Sequence, residues 1–220
     1  MIAYTVGSYG IEMLIPLGEL IVAVAGATAL FICIVALIAS AFTRINFFCV
    51  IHALKDILFL AFSTASSEAA LPGAMKRLEA LGVPKTIVTF VMPTGYSFNL
   101  DGSTLYSSAG ILFIAQLYGI QMPIEQQLLV MVTLMLSTKG IAGVPGAGII
   151  VVAATAAAFN LPTEGVAILL GVDRILDMIR TICNVCGNCM ATVVVACWEK
   201  DLTKADFYKN YRAFLEDRAA

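Results

Sequence analysis

Near its C-terminal end the sequence sets an acid, a base, a hydroxyl and two amides into an otherwise apolar run: Asp177, Arg180, Thr181, Asn184 and Asn188. At 100° per residue, Asp177, Thr181, Asn184 and Asn188 fall within about 60° of one another on a helix, and Arg180 lies about 60° from Asp177. The set suits a zwitterionic ligand with an extra carboxylate. Arg180 would clamp that carboxylate with two parallel N–H donors while Asp177 accepts an ammonium. The other reading is a mutual Asp177–Arg180 ion pair at i,i+3 that holds the helix in a bundle.

A second group lies between residues 86 and 118, where Pro93, Gly95, Asn99, Asp101 and Gly102 interrupt apolar sequence. Proline removes a backbone donor and glycine loosens a helix, so an unwound centre is expected there. Free carbonyls beside an amide and a carboxylate make a hard-cation site of the sodium type. Two further polar interruptions offer ligand groups. Ser66, Ser67 and Glu68 supply hydroxyls and an acid, and the glycine-rich stretch 140–148 supplies free N–H groups suited to anions. Other signals carry less. Cys183-x-x-Cys186-x-x-Cys189 lacks the prompt fourth cysteine of an iron–sulfur run, since Cys197 comes eight residues later. His52 reads as an interfacial side chain, and Gly143-x-x-Gly146 as a turn around Pro145. There is no hydrolytic triad or phosphate loop, and no enzyme is expected.

What must position these groups follows from composition. The chain is 60% apolar and only 13% charged, and ten of its charged side chains fall after residue 198. A soluble fold cannot cover its surface with so little charge, so the protein belongs in a membrane, where charges at mid-depth are functional by default. A net charge of -2 with no basic patch excludes a nucleic-acid partner. Residues 20–43 carry no charge and are long enough to span the hydrocarbon. Residues 47–82 read as two half-depth helices meeting at a polar turn, a re-entrant hairpin; 123–160 repeats that pattern. Residues 84–118 read as a broken span, 163–198 as the last span, and 199–220 as a polar tail in water. Paired interrupted segments point to a transporter with its site at mid-membrane, against the plainer reading of a helical bundle packed on small residues. Basic residues Arg44, Lys76, Arg77, Lys85 and those of the tail put the ends of the first hairpin and the C-terminus in the cytoplasm; the second hairpin then enters from the outer side. The apolar start at Met1 suggests a missing N-terminal portion.

Four motifs resemble the C-terminal half of the dicarboxylate/amino acid:cation symporter family, the glutamate and aspartate transporters. They are Ala65-Ser66-Ser67-Glu68-Ala69-Ala70-Leu71-Pro72, Asn99-Leu100-Asp101-Gly102-Ser103, the run Lys139-Gly140-Ile141-Ala142-Gly143-Val144-Pro145-Gly146-Ala147-Gly148, and Asp177 to Asn188. The inverted-repeat architecture of one archaeal member is a standard example of transporter design. The resemblance implies an all-α multi-pass fold with two re-entrant hairpins and a broken helix. Residues 1–15 would be the end of span five, 17–45 span six, 47–82 hairpin 1, 84–118 span seven, 123–160 hairpin 2 and 163–198 span eight. It implies a substrate site of Ser66, Ser67, Ser103, Val144, Gly148, Asp177, Arg180, Thr181 and Asn184. It further implies cation sites using Gly95, Asn99, Asp101, Thr138, Lys139, Ile141, Asn184 and Asn188, with sodium as the only metal and no cofactor beyond the coupling ion, H+ or Na+.

Asn188 stands where sodium-coupled members resemble one another in having an acid, and Lys139 adds a cation beside the second tip; both features resemble the proton-coupled bacterial branch. Asp177 favours glutamate or aspartate over a C4-dicarboxylate, with a non-transporting membrane partner as the alternative class. Complete members form homotrimers in the cell membrane, here the bacterial cytoplasmic membrane. The first, third and fourth spans and the trimerisation scaffold have no counterpart in this chain. The lone chain is therefore expected to insert among lipid, remain mostly monomeric and catalyse no net uptake.

Overall fold

The computed structural model describes residues 7, 10–139 and 145–217. Among the described residues every regular element is a helix. A single 3-10 turn, Ile11–Met13, runs directly into α1, Leu14–Thr43. Together they form 33 residues, about 50 Å at 1.5 Å per residue, more than a bilayer's hydrocarbon thickness of ~30 Å. One side of α1 is buried at Leu17, Leu20, Val24, Thr28, Ala36 and Ala39. The other leaves Ile15, Val22, Leu30, Leu37, Ile38 and Phe42 exposed, a continuous apolar face suited to lipid. Arg44 ends the helix in the left-handed region at φ 60°, with its N–H on the Ser40 carbonyl.

Helices α2 (Phe47–Ala53) and α3 (Lys55–Thr64) are bent by 62° at Leu54. Asn46 starts the pair by accepting the Phe48 N–H on its side chain. Ala65 then turns the chain at φ 51°, and Ser66 caps α4 (Ser67–Ala80) by accepting the Ala69 N–H at 3.3 Å. Short polar caps of this kind satisfy helix-end donors that lipid cannot. Helices α3 and α4 pack side by side, and α4 packs on α5 (Lys85–Phe98).

An interruption is expected among Pro93, Gly95, Asn99, Asp101 and Gly102, and the structure has one within that group, at its Asn99 end. Helix α5 continues through Pro93 and gives out at Asn99 and Leu100, and α6 begins at Asp101 and runs to Leu117. Asn and Asp compete with helical backbone through their own side chains, and an acid in a first turn favours a new helix start. Helices α7 (Ile124–Ser137) and α8 (Ala147–Ala158) touch each other. The segment expected as one span over 163–198 is two helices, α9 (Glu164–Leu169) and α10 (Asp173–Trp198), separated by a turn at Leu170, Gly171 and Val172. Gly171 is a poor helix former and Asp173 opens the first turn of α10, the same start signal as at Asp101.

Helix α10 is the centre of the packing, in contact with α1, α3, α4, α5 and α6. Two apolar clusters share it. One gathers α2 to α5 around Val185, Cys186, Cys189, Met190, Val193 and Ala196. The other gathers α1, α6, α8 and α9 around Leu176. The polar stretch of α10 lies along the helix between them, so both clusters hold it in place.

The polar, amphipathic tail is helical and packs back on the rest of the chain. Lys204–Asp217 forms α11, which buries Phe207 completely. The Asn46 N–H donates to Tyr208 Oη at 3.0 Å, and His52 Nδ1 is 2.9 Å from the Tyr211 hydroxyl. The Arg77 guanidinium sits over the Phe214 ring, 4.4 Å from its centroid, and pairs with Asp56 at 2.9 Å.

Candidate functional site

Asp177, Arg180, Thr181, Asn184 and Asn188 are all buried on α10, as the shared face requires. Arg180 Nε donates to Asp177 Oδ1. Arg180 Nη1 donates to the Ser103 hydroxyl at 2.8 Å, and Asn184 Nδ2 donates to the same oxygen at 3.1 Å. Asn184 Oδ1 in turn accepts the Gly102 N–H at 2.9 Å. One amide side chain thus satisfies a helix-start donor of α6 and orients Ser103, which is fully buried. This approach needs a glycine, because a Cβ at Gly102 would run into the Arg180 carbonyl oxygen.

The far side of Asp177 faces the glycine-rich stretch at Gly146. Its Oδ2 accepts the Gly146 N–H at 2.7 Å. Gly148 lies against Tyr106, where an added Cβ would stand 2.9 Å from Cε1. The Thr181 hydroxyl donates to the Asp177 carbonyl of its own helix at 2.7 Å and keeps its acceptor lone pairs. Ser67 is buried, and Ser66 spends its hydroxyl on the α4 cap. Val144 and Ile141 lie outside the described residues.

The cation-site candidates surround the α5–α6 break. Asn188 Nδ2 donates to the Asn184 carbonyl at 3.0 Å and the Asn99 carbonyl at 3.2 Å. One end of the Asn99 amide is 3.2 Å from Asn188 Oδ1, and the other is 3.0 and 3.1 Å from the two Asp101 carboxylate oxygens. The Asn99 amide thus stands between Asn188 and the Asp101 carboxylate, a group of oxygens of the hard-cation type. Gly95 lets Asn188 approach, since a Cβ there would collide with Asn188 Oδ1. Thr138 donates to the Leu134 carbonyl and meets the Thr104 hydroxyl at 2.9 Å. Lys139 Nζ donates to the Phe98 carbonyl at 2.6 Å.

Three residues at the site escape a reading by composition and spacing. The Tyr106 hydroxyl donates to Asp173 Oδ1 at 2.6 Å, and Asp173 stands one helical turn before Asp177, a spacing that could have flagged it. Arg174 Nη2 donates to the Ser63 and Thr64 carbonyls at 3.3 and 3.2 Å, tying the start of α10 to the end of α3. No sequence signal pairs Arg174 with those carbonyls. Among the described residues no group of three or more His, Cys, Asp or Glu side chains could hold a metal ion, and the cysteines of α10 are free thiols.

Comparison with known proteins places these features in a family context. The model of the sodium:dicarboxylate symporter family matches residues 1–198. The proton/sodium-glutamate symport protein of Geobacillus stearothermophilus is 48% identical over 219 residues, which is 100% of this chain and 52% of that protein. The proton/glutamate-aspartate symporter of Escherichia coli (strain K12) is 49% identical over 212 residues, 96% of this chain and 48% of that protein. The C4-dicarboxylate transport protein of Cupriavidus pinatubonensis is 41% identical over 218 residues, 99% of this chain and 51% of its own length. The chain spans about half the length of the curated relatives it matches.

Proposed function

The chain belongs to the sodium:dicarboxylate symporter family, and on that premise we propose that a carrier containing this sequence moves an acidic amino acid across a bacterial cytoplasmic membrane by symport with protons or sodium. One observation carries the reading. Arg180 and Asp177 are buried together on α10, within reach of Ser103, Asn184 and the Gly146 N–H. A buried ion pair is costly as mere packing, whereas a guanidinium and a carboxylate side by side match a ligand bearing both a carboxylate and an ammonium. No step of bond-making is required of the protein, and the family is one of carriers rather than enzymes.

In this reading α2 to α4 form the first re-entrant hairpin, α7 and α8 the second, and α5 with α6 the broken span. The substrate lies between the two tips and α10, with Ser66, Ser67, Val144, Gly148 and Thr181 completing the pocket. Coupling ions bind near Gly95, Asn99, Asp101 and Asn188, and the backbone of Thr138, Lys139 and Ile141 lines a further cation position. The wider family arrangement, a homotrimer resting on a scaffold, belongs to the same proposal.

A second reading, C4-dicarboxylate symport, draws support from the Cupriavidus relative. The two differ in whether Asp177 has an ammonium to meet. Vesicles containing a full-length carrier with this sequence, loaded and energised by a proton gradient with and without sodium, would be given labelled glutamate, aspartate and succinate. Amino-acid uptake exceeding succinate uptake is the expected result. Preferential succinate uptake selects the second reading, and binding without counterflow selects a non-transporting partner.

A further inference from the structure

Between Glu125 and Glu164 the sequence has a single ionisable side chain, Lys139. A lone cation inside so long an apolar run is expensive to bring near a bilayer and calls for a specific counterpart. Its ammonium donates to the Phe98 carbonyl at 2.6 Å. Phe98 is the last residue of α5, and the final carbonyls of a helix have no partners within it and carry a partial negative charge. In carriers built from interrupted helices, such half-helix ends are where coupling cations are held.

The neighbouring contact fixes the geometry from the other side of the break. Thr138, adjacent in sequence, meets Thr104 on α6 at 2.9 Å. The end of α7 therefore straddles the interruption, with Thr138 on α6 and Lys139 on α5. A sodium ion on the Phe98 carbonyl would lie against the ammonium, and like charges at that range exclude one another.

We infer that the Lys139 ammonium is a covalently tethered occupant of the cation position at the C-terminal end of α5, so that a carrier built on this sequence holds one mobile sodium ion fewer than it would with a neutral residue there. The inference rests on the symport reading only in naming sodium as the excluded ion.

The test uses a full-length carrier containing this sequence, its Lys139→Met and Lys139→Gln variants, and Lys139→Arg as the charge-retaining control. Thermal stability is titrated with sodium against choline at constant ionic strength, without substrate. The neutral variants should gain a saturable, sodium-specific stabilisation with half-maximal sodium about tenfold or more below any seen in the wild type. Lys139→Arg should track the wild type. Sodium titrations of the neutral variants that superimpose on the wild type would overturn the inference and leave Lys139 as a helix-end cap. If neither neutral variant folds in sodium-free buffer, recovery in sodium supports it and no recovery overturns it. Because no substrate is present, a negative result leaves the amino-acid reading standing, and failure of amino-acid uptake leaves this result untouched.

Discussion

Asp177 accepts the Gly146 N–H at 2.7 Å, a bond that joins the central helix to the glycine-rich stretch 140–148. The other oxygen of the same carboxylate takes Arg180 Nε. An ammonium arriving from a ligand must share or displace one of these donors. The acid that would recognise an amino group is thus also the group that holds the tip, which couples ligand arrival to the position of residue 146.

Replacing Asp177 with Asn separates the two duties. The amide oxygen still accepts the Gly146 N–H, but the charge that meets an ammonium is gone. Affinity for glutamate should fall by about 30- to 5000-fold, the range for losing one well-made charged contact of about 2–5 kcal/mol. Affinity for succinate should fall much less, since it has no ammonium to lose. Competition binding with the two ligands reads the ratio directly; an unchanged ratio would show that Asp177 does not read the amino group.

Arg180→Lys should not behave as a conservative change. The guanidinium reaches Asp177 through Nε and Ser103 through Nη1, and an ammonium on a flexible stem cannot hold two such directions at once. Calorimetry with an acidic substrate should show at least about a 30-fold rise in Kd. Near-equal dissociation constants would mean that the pair serves only to hold α10.

The polar face of α10 was legible because periodicity alone aligns Asp177, Asn184 and Asn188, and all three are buried. The break between α5 and α6 was legible from Asn99, Asp101 and Gly102, whereas Pro93, named with them, stays inside α5 because a single missing donor does not stop a well-packed helix. Partners were not legible. Thr181 shares the face yet bonds its own helix, a choice of rotamer that spacing cannot register. Tyr106 with Asp173, and α11 with His52 and Arg77, join residues far apart in sequence through packing that only the folded chain defines.

Gly102→Ala tests the close approach of α6 to α10. The added methyl meets the Arg180 carbonyl oxygen and lies 2.7 Å from Cys183 Cβ, so the two helices must separate. Overpacking of this sort costs about 1–3 kcal/mol, and it should also loosen the Gly102–Asn184 bond. Gly26→Ala on α1 is the control, since nothing stands within 4 Å of its added atom, and it should change stability by no more than about 0.5 kcal/mol. Thermal unfolding of both variants in detergent measures the contrast. Equal melting temperatures would show that the helices are not as closely held as the structure has them.

Tyr106 makes two contacts that substitution can take apart. Its hydroxyl donates to Asp173 at 2.6 Å, and its ring packs on Gly148 beyond the second tip. Tyr106→Phe removes only the first, leaving a partly buried carboxylate one donor short; a hydrogen bond to a charged group is worth about 1.5–3 kcal/mol. Asp173→Asn keeps an acceptor for the hydroxyl and sheds the charge, so it should cost less. Tyr106→Ala removes both contacts and opens a cavity, adding about 3–5 kcal/mol of the kind seen when a large aromatic is truncated. Melting temperatures should therefore fall in the order wild type, Asp173→Asn, Tyr106→Phe, Tyr106→Ala. A cysteine introduced at Ala147, read by thiol labelling in a background without the native cysteines, adds the second axis. Labelling should stay at the wild-type rate in Tyr106→Phe, where the ring still backs Gly148, and rise in Tyr106→Ala. Faster labelling in both variants would assign the tip's position to the hydroxyl bond rather than to the ring.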